Sequence, residues 1–163
     1  MELLAPAGSL QHFTAAVESG ADSVYAGAPG FNARNPSREF RLDEIRAMAS
    51  YCKDHGHSFY VALNSLVRED EIARLIKTLA ELESIAPTAL IVQDLGVIKL
   101  ARDYFPSLSL HGSTLMFAHN SAGVQTLAGL GCSRVVLARE LTIHEILHDD
   151  LFKVVPCYLL FTV

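Results

Sequence analysis

Five stretches of the chain share one pattern, a short apolar run with a polar exit. They are Asp22–Gly27 (DSVYAG), Ser58–Asn64 (SFYVALN), Thr88–Asp94 (TALIVQD), Leu108–Ser113 (LSLHGS) and Ser133–Glu140 (SRVVLARE). Runs this short and this apolar predict strands buried on both faces, as in a parallel sheet. Glu2–Leu4 predicts a first strand closed by a proline and glycine turn at Ala5–Gly8, and Phe152–Leu160 a seventh strand.

Between these runs the apolar period changes from strand-like to helical. Ser9 suits the N-cap of a helix through about Ser19, with Phe13, Ala16 and Val17 on one face and Gly20 at its stop. Leu42–His55 ends at Gly56, and Asp70–Ile85 carries Ile72, Leu75, Ile76, Leu79 and Leu82 at helical spacing before Pro87. Further helices are predicted from Asp94 to about Tyr104, over Ala118–Leu130 with Gly131 as cap, and from a Thr142/Glu145 capping box to about His148. The loop GAPGFNARNPSREF is long for a compact domain, which marks it as a candidate functional loop.

Strands alternating with helices imply βα units and a parallel sheet. A doubly wound sheet usually shows a glycine fingerprint after its first strand, and APAGS is not G-x-G-x-x-G. Polar exits on strand after strand favour an α/β fold of the (β/α) TIM-like barrel type, with its chemistry at the C-terminal rim. About seven strands are visible, so the expectation is an incomplete barrel, residues 1–163 forming the N-terminal part of a single catalytic domain. The apolar end VVPCYLLFTV has no turn, cap or polar tail and reads as cut.

Composition narrows the classes. With 50% hydrophobic and 19% charged residues the chain can bury one sizeable core. A formal charge of −5 gives no general pull toward nucleic acid, so an RNA contact must use a local patch, and Arg34, Arg38 and Arg41 form the cluster available. Three scattered cysteines, Cys52, Cys132 and Cys157, without a C-x-x-C pair argue against a disulfide framework or a zinc site and fit a reducing cytoplasm. No export signal or membrane span is evident.

The expected rim holds Tyr25, Arg34, Asn64, Gln93, Asp94, His111, Ser113, Thr114, Arg139 and Glu140. Arg139 and Glu140, adjacent on an extended segment, should face opposite ways; Arg139 suits either an anionic substrate or a structural carboxylate. His111 fits a general acid or base, or a hydrogen-bonded structural histidine. Asp94 is either an ionised base or, more commonly at such a position, a helix N-cap. Asn64 either donates to a substrate oxygen or simply ends its strand. The arginines of the long loop either meet phosphate or are solvated. Ser113 and Thr114 beside His111 lack a G-x-S-x-G elbow, and the remaining histidines do not form H-E-x-x-H.

The ordered segments ELLAPAGS, ESGADSVYAG, FNAR, VALN, ALIVQDLGVI, LHGST and RVVLAREL resemble the N-terminal half of the U-32 collagenase-like peptidase family, over about Met1–Ile146. The resemblance implies a barrel-like catalytic domain, and many members are similar to hydroxylases of transfer or ribosomal RNA with an iron–sulfur cluster on cysteines. Others are described as peptidases or collagenases, or act in oxygen-independent quinone hydroxylation. Where members often have H-x-S-T-Q this chain has Leu115 in place of the amide, and the family's cysteine-rich segment is expected beyond Val163. The cluster is thus expected in the full-length protein, with no metal or cofactor in this segment.

By matching motif, the resemblance implies His111, Asp94 and Glu140 as catalytic residues and Asn32, Arg34, Asn64, Ser113 and Arg139 as substrate-binding ones. It implies an RNA nucleobase hydroxylase; the alternatives are a peptidase and an inactive truncated barrel that only binds a partner. The corresponding partners are RNA or a peptide, with a small anionic co-substrate, and self-association of a truncated barrel through its open strand edges.

Overall fold

The computed structural model describes residues 2–33, 39–148 and 157–158. Seven parallel strands form one sheet in strictly sequential order, β1 (Leu4–Ala7), β2 (Ser23–Gly27), β3 (Ser58–Leu63), β4 (Ala89–Val92), β5 (Leu110–Gly112), β6 (Arg134–Val136) and β7 (Cys157–Tyr158). The helices between them are α1 (Leu10–Glu18), α2 (Leu42–His55), α3 (Ile72–Ile85), α4 (Leu95–Tyr104), α5 (Ser121–Gly129) and α6 (Ile143–His148).

A doubly wound sheet reverses its strand order and carries helices on both faces; this sheet does neither. Val24, Phe59, Val61, Leu90 and Leu110 on one face join helix residues such as Ile45, Leu79 and Val124 in the main core. The opposite face holds a small separate cluster of Tyr60, Ala62, Ala89 and Ile91, with Leu4 and Tyr25 against it and no helix residue among them. Helices on one face and side chains packed on themselves on the other describe a curled half-barrel. Two rows of paired positions cross its concave face: Pro6, Tyr25, Tyr60 and Ala89 in one, Ala62, Ile91, His111 and Arg134 in the other.

The caps follow the sequence closely. Ser9 accepts from His12 N–H at 3.2 Å, Gly56 ends α2 at φ 77°, and Thr142 and Glu145 satisfy each other's amides at the start of α6. Three boundaries differ from expectation. β1 starts at Leu4 and takes in Ala5-Pro6-Ala7, the segment expected to turn; proline has no N–H to give a ladder, and among the described residues β1 pairs on one side only, with β2. Helix α5 starts at Ser121, because Asn120 caps Gly123 N–H at 2.9 Å and a 3-10 turn over Thr114–Met116 occupies the chain before it. β6 ends at Val136, and Arg139–Glu140 lie in a turn closed by Leu141 N–H to Ala138 O at 3.4 Å. The alternation expected for those two residues therefore does not apply. For the expected strand Phe152–Leu160, Cys157–Tyr158 is the part described.

Candidate functional site

The site has two levels, and the lower one was not foreseen. His111 is the middle residue of β5, not its exit, so its ring enters the concave face with 6% exposure. It lies against Tyr60, with ring centroids 5.1 Å apart at 50°. The Tyr60 hydroxyl donates to Glu2 Oε1 at 2.6 Å, and Arg134 Nη1 reaches Glu2 Oε2 and Tyr60 Oη, each at 3.2 Å. Burial, and after it the Arg134 cation, lowers the His111 pKa to about 4, with Glu2 pulling weakly the other way. At neutral pH the imidazole is uncharged, a donor at one nitrogen and an acceptor at the other. Burial and the hydrogen bond to Glu2 raise the Tyr60 phenol. Glu2 and Arg134 open two of the segments that carry the family resemblance, ELLAPAGS and RVVLAREL, but no single motif joins them to Tyr60; the signal available was two polar residues, Tyr60 and Arg134, in otherwise apolar strands.

The upper level is the C-terminal rim, where successive loops are laced together. Asn64 Oδ1 accepts from Ala33 N–H at 3.2 Å, and Ser65 N–H donates to Phe31 O at 3.2 Å, joining the loops after β2 and β3. Phe31 is buried, and the Arg74 guanidinium sits 4.5 Å from its ring centroid. Asn32 folds back over Gly27, where a Cβ would come within 2.1 Å of its Nδ2. Asp94 Oδ1 accepts from Gly96 and Val97 N–H at 2.7 and 3.1 Å, and Oδ2 from Val67 N–H at 3.1 Å. Its carboxylate caps α4 and ties the loop after β3 to the one after β4, which is the commoner of its two expected roles.

Ser113 is buried and accepts from Leu115 N–H at 3.2 Å, capping the 3-10 turn. Thr114 Oγ1 donates to Leu137 O at 3.2 Å, and Ala138 N–H to Ala118 O at 2.9 Å, so the loops after β5 and β6 are tied to each other. Arg139 and Glu140 are exposed on the second of these. Gln93 Oε1 is buried with no hydrogen-bond partner among the described residues, an acceptor at the rim left for a donor.

The structure thus groups Asn32, Asn64 and Asp94 along one arc of the rim and Ser113 with Arg139 and Glu140 on tied loops, with His111 below them. Arg34 and Arg38 lie outside the described residues. Arg41, the third of the expected basic cluster, is exposed and paired with Asp43 at 2.9 Å. Among the described residues no group of three or more His, Cys, Asp or Glu could hold a metal, and no helix is long and apolar enough to cross a membrane. Cys52 and Cys132 are buried in the main core, where burial raises both thiols to about 11. A thiol so held is a poor thiolate, and these two do not fit a cluster.

Residues 8–148 match Peptidase family U32. The chain is 38% identical over 145 residues to the tRNA hydroxylation protein P of Haemophilus influenzae, covering 89% of this chain and 32% of that protein. It is 33% identical over 146 residues to the 23S rRNA 5-hydroxycytidine C2501 synthase of Escherichia coli, covering 90% and 22%. With a collagenase of Porphyromonas gingivalis it shares 30% over 156 residues, covering 91% and 37%. A solved U32 peptidase superposes with a TM-score of 0.77 at 15% identity, covering 98% of this chain and 67% of that one, a likeness of fold. The chain spans about a third of the length of the first of these curated relatives.

Proposed function

This chain belongs to peptidase family U32, and on that premise we propose that it is the N-terminal part of the barrel of an RNA hydroxylase, acting on a nucleobase of transfer or ribosomal RNA. The observation that carries the reading is the 38% identity to a tRNA hydroxylation protein across nearly the whole chain. The rim supports it. An orphaned acceptor at Gln93, the amides of Asn32 and Asn64 and the exposed Arg139 are groups suited to base edges and to an anion, either RNA phosphate or a small co-substrate.

His111 is the proposed acid–base residue, working as a neutral imidazole, with Ser113 and Arg139 as substrate contacts. Arg34 is assigned to phosphate by its motif. Glu140 keeps its proposed catalytic place from the motif alone. Asp94 has its carboxylate engaged by three backbone amides and acts in this reading by holding two rim loops together. An iron–sulfur cluster, which would supply redox chemistry, is proposed on cysteines outside this chain.

Peptide hydrolysis is the second reading, carried by the family name and the collagenase relative. It would need an activated nucleophile, and the Ser113 hydroxyl is engaged as a cap. The test is nucleoside mass spectrometry of tRNA and rRNA from cells lacking the gene and from cells with the full-length gene restored. One hydroxylated nucleoside should disappear and return. An unchanged RNA profile, together with peptide cleavage by the purified protein, would overturn the hydroxylase reading.

A further inference from the structure

Among the described residues two non-glycine positions have positive φ, Ala86 at 55° and Phe117 at 53°. Ala86 closes α3, a small residue in the usual left-handed helix end. Phe117 closes the 3-10 turn after β5, with its N–H on Thr114 O at 3.0 Å, in a conformation that glycine or asparagine adopts at less cost. Its neighbours Met116 and Ala118 pack toward the main core, whereas Phe117 is 64% exposed. The left-handed backbone opposes folding and glycine would relieve it, while a ring this exposed buries little surface to offset the strain. The ring therefore contributes little to the packing of the described residues.

We propose that Phe117 is a stacking platform for an unpaired nucleobase of the RNA substrate, an inference that rests on the RNA reading above. Every base has a face that stacks on an aromatic ring, and RNA hydroxylation at a base needs that base reachable outside a helix. Phe117 lies on the loop that leaves the C-terminal end of β5, the side of the sheet that carries the rim loops. That loop is tied by Thr114 Oγ1 to Leu137 O and by Ala138 N–H to Ala118 O to the loop carrying Arg139. A ring for a base and a guanidinium suited to phosphate are thus carried by two loops that hold each other in place.

The experiment uses the full-length protein in wild-type form and as Phe117→Gly and Phe117→Trp. Each is measured for thermal unfolding and for binding a fluorescent RNA hairpin with a single-stranded pyrimidine-rich loop. Phe117→Gly should unfold at the same or a higher temperature while binding the hairpin about tenfold more weakly, and Phe117→Trp should bind like wild type. Equal binding by wild type and Phe117→Gly would overturn the platform and leave the RNA reading standing. Loss of stability with Phe117→Gly would overturn it by showing the ring to be packed against the rest of the protein or a protein partner. A wild-type protein that neither binds nor modifies RNA would remove the RNA reading and this inference with it.

Discussion

The Tyr60 hydroxyl donates to Glu2 Oε1 at 2.6 Å, joining β3 to the residue ahead of β1 across 58 positions of the chain. Arg134, on β6, completes the triangle from the far side of the concave face. The segment ahead of β1 is thus tied by side chains to β3 and β6, strands that backbone hydrogen bonds do not join to each other.

Removing one member should cost more than removing two. Arg134→Met takes the guanidinium away from the Glu2 carboxylate, about a quarter exposed, and from the Tyr60 hydroxyl, and should destabilise the full-length protein by about 2 kcal/mol in urea unfolding. The double change Arg134→Met with Glu2→Gln should recover most of the loss. Equal loss in both would mean that the arginine stem, not the charge, matters.

The depressed His111 pKa has a definite sign in stability. The unfolded imidazole takes a proton near pH 6.5 and the folded one near 4, so stability is complete above 6.5 and falls as the pH drops toward 4. The span corresponds to about 3 kcal/mol, an order of magnitude to be read from the pH slope of unfolding. In His111→Asn that part of the slope should vanish. A slope unaltered by the substitution would place the titration elsewhere.

Asp94 separates capping from acid–base chemistry. Asp94→Ala strips acceptors from three backbone amides and should cost about 2 kcal/mol, whereas Asp94→Asn keeps an oxygen for α4 and should cost about half as much. In the full-length protein Asp94→Asn should keep most of the RNA modification proposed above. Full stability with complete loss of modification would instead make Asp94 an acid–base residue.

At Gly27 a single methyl should disturb the rim. A Cβ there would meet not only the Asn32 amide but also Asn32 Cβ at 2.9 Å, so a side-chain rotation alone does not clear it. Gly27→Ala should destabilise by about 1–3 kcal/mol and weaken substrate binding through the displaced loop. Asn32→Gly, combined with it, should restore stability without restoring binding.

The two core thiols should be slow. With pKa values near 11, Cys52 and Cys132 should resist alkylation at pH 8 in the native protein and react within minutes in denaturant, by peptide mass mapping. Rapid native labelling of either would show that the core around it opens.

Much of the architecture was legible because it is written in local periods. Apolar runs with polar exits located β2 to β6, and Ser9, Gly56 and the Thr142/Glu145 pair marked helix ends whose unpaired backbone groups any sequence must satisfy nearby. Sequence alone also led to the parallel order and the half-barrel, since strands of this composition require cover on both faces, and to the family, through seven segments in order. What it missed depended on distance. The turn at Arg139–Glu140 arises where β6 stops after three residues, and Pro6 is accommodated in β1, which among the described residues pairs with β2 alone. The run LSLHGS predicts His111 at a strand exit, but the register with Ile91 and Arg134 sets it inside the barrel, where burial discharges it. Glu2, Tyr60 and Arg134 share no motif, and the two ends of the Glu2–Arg134 contact are 132 positions apart. Only the closing curve of the sheet brings them within hydrogen-bond reach, because a side-chain meeting on the concave face depends on how many strands lie between and how sharply they turn, and no local pattern in the chain encodes either.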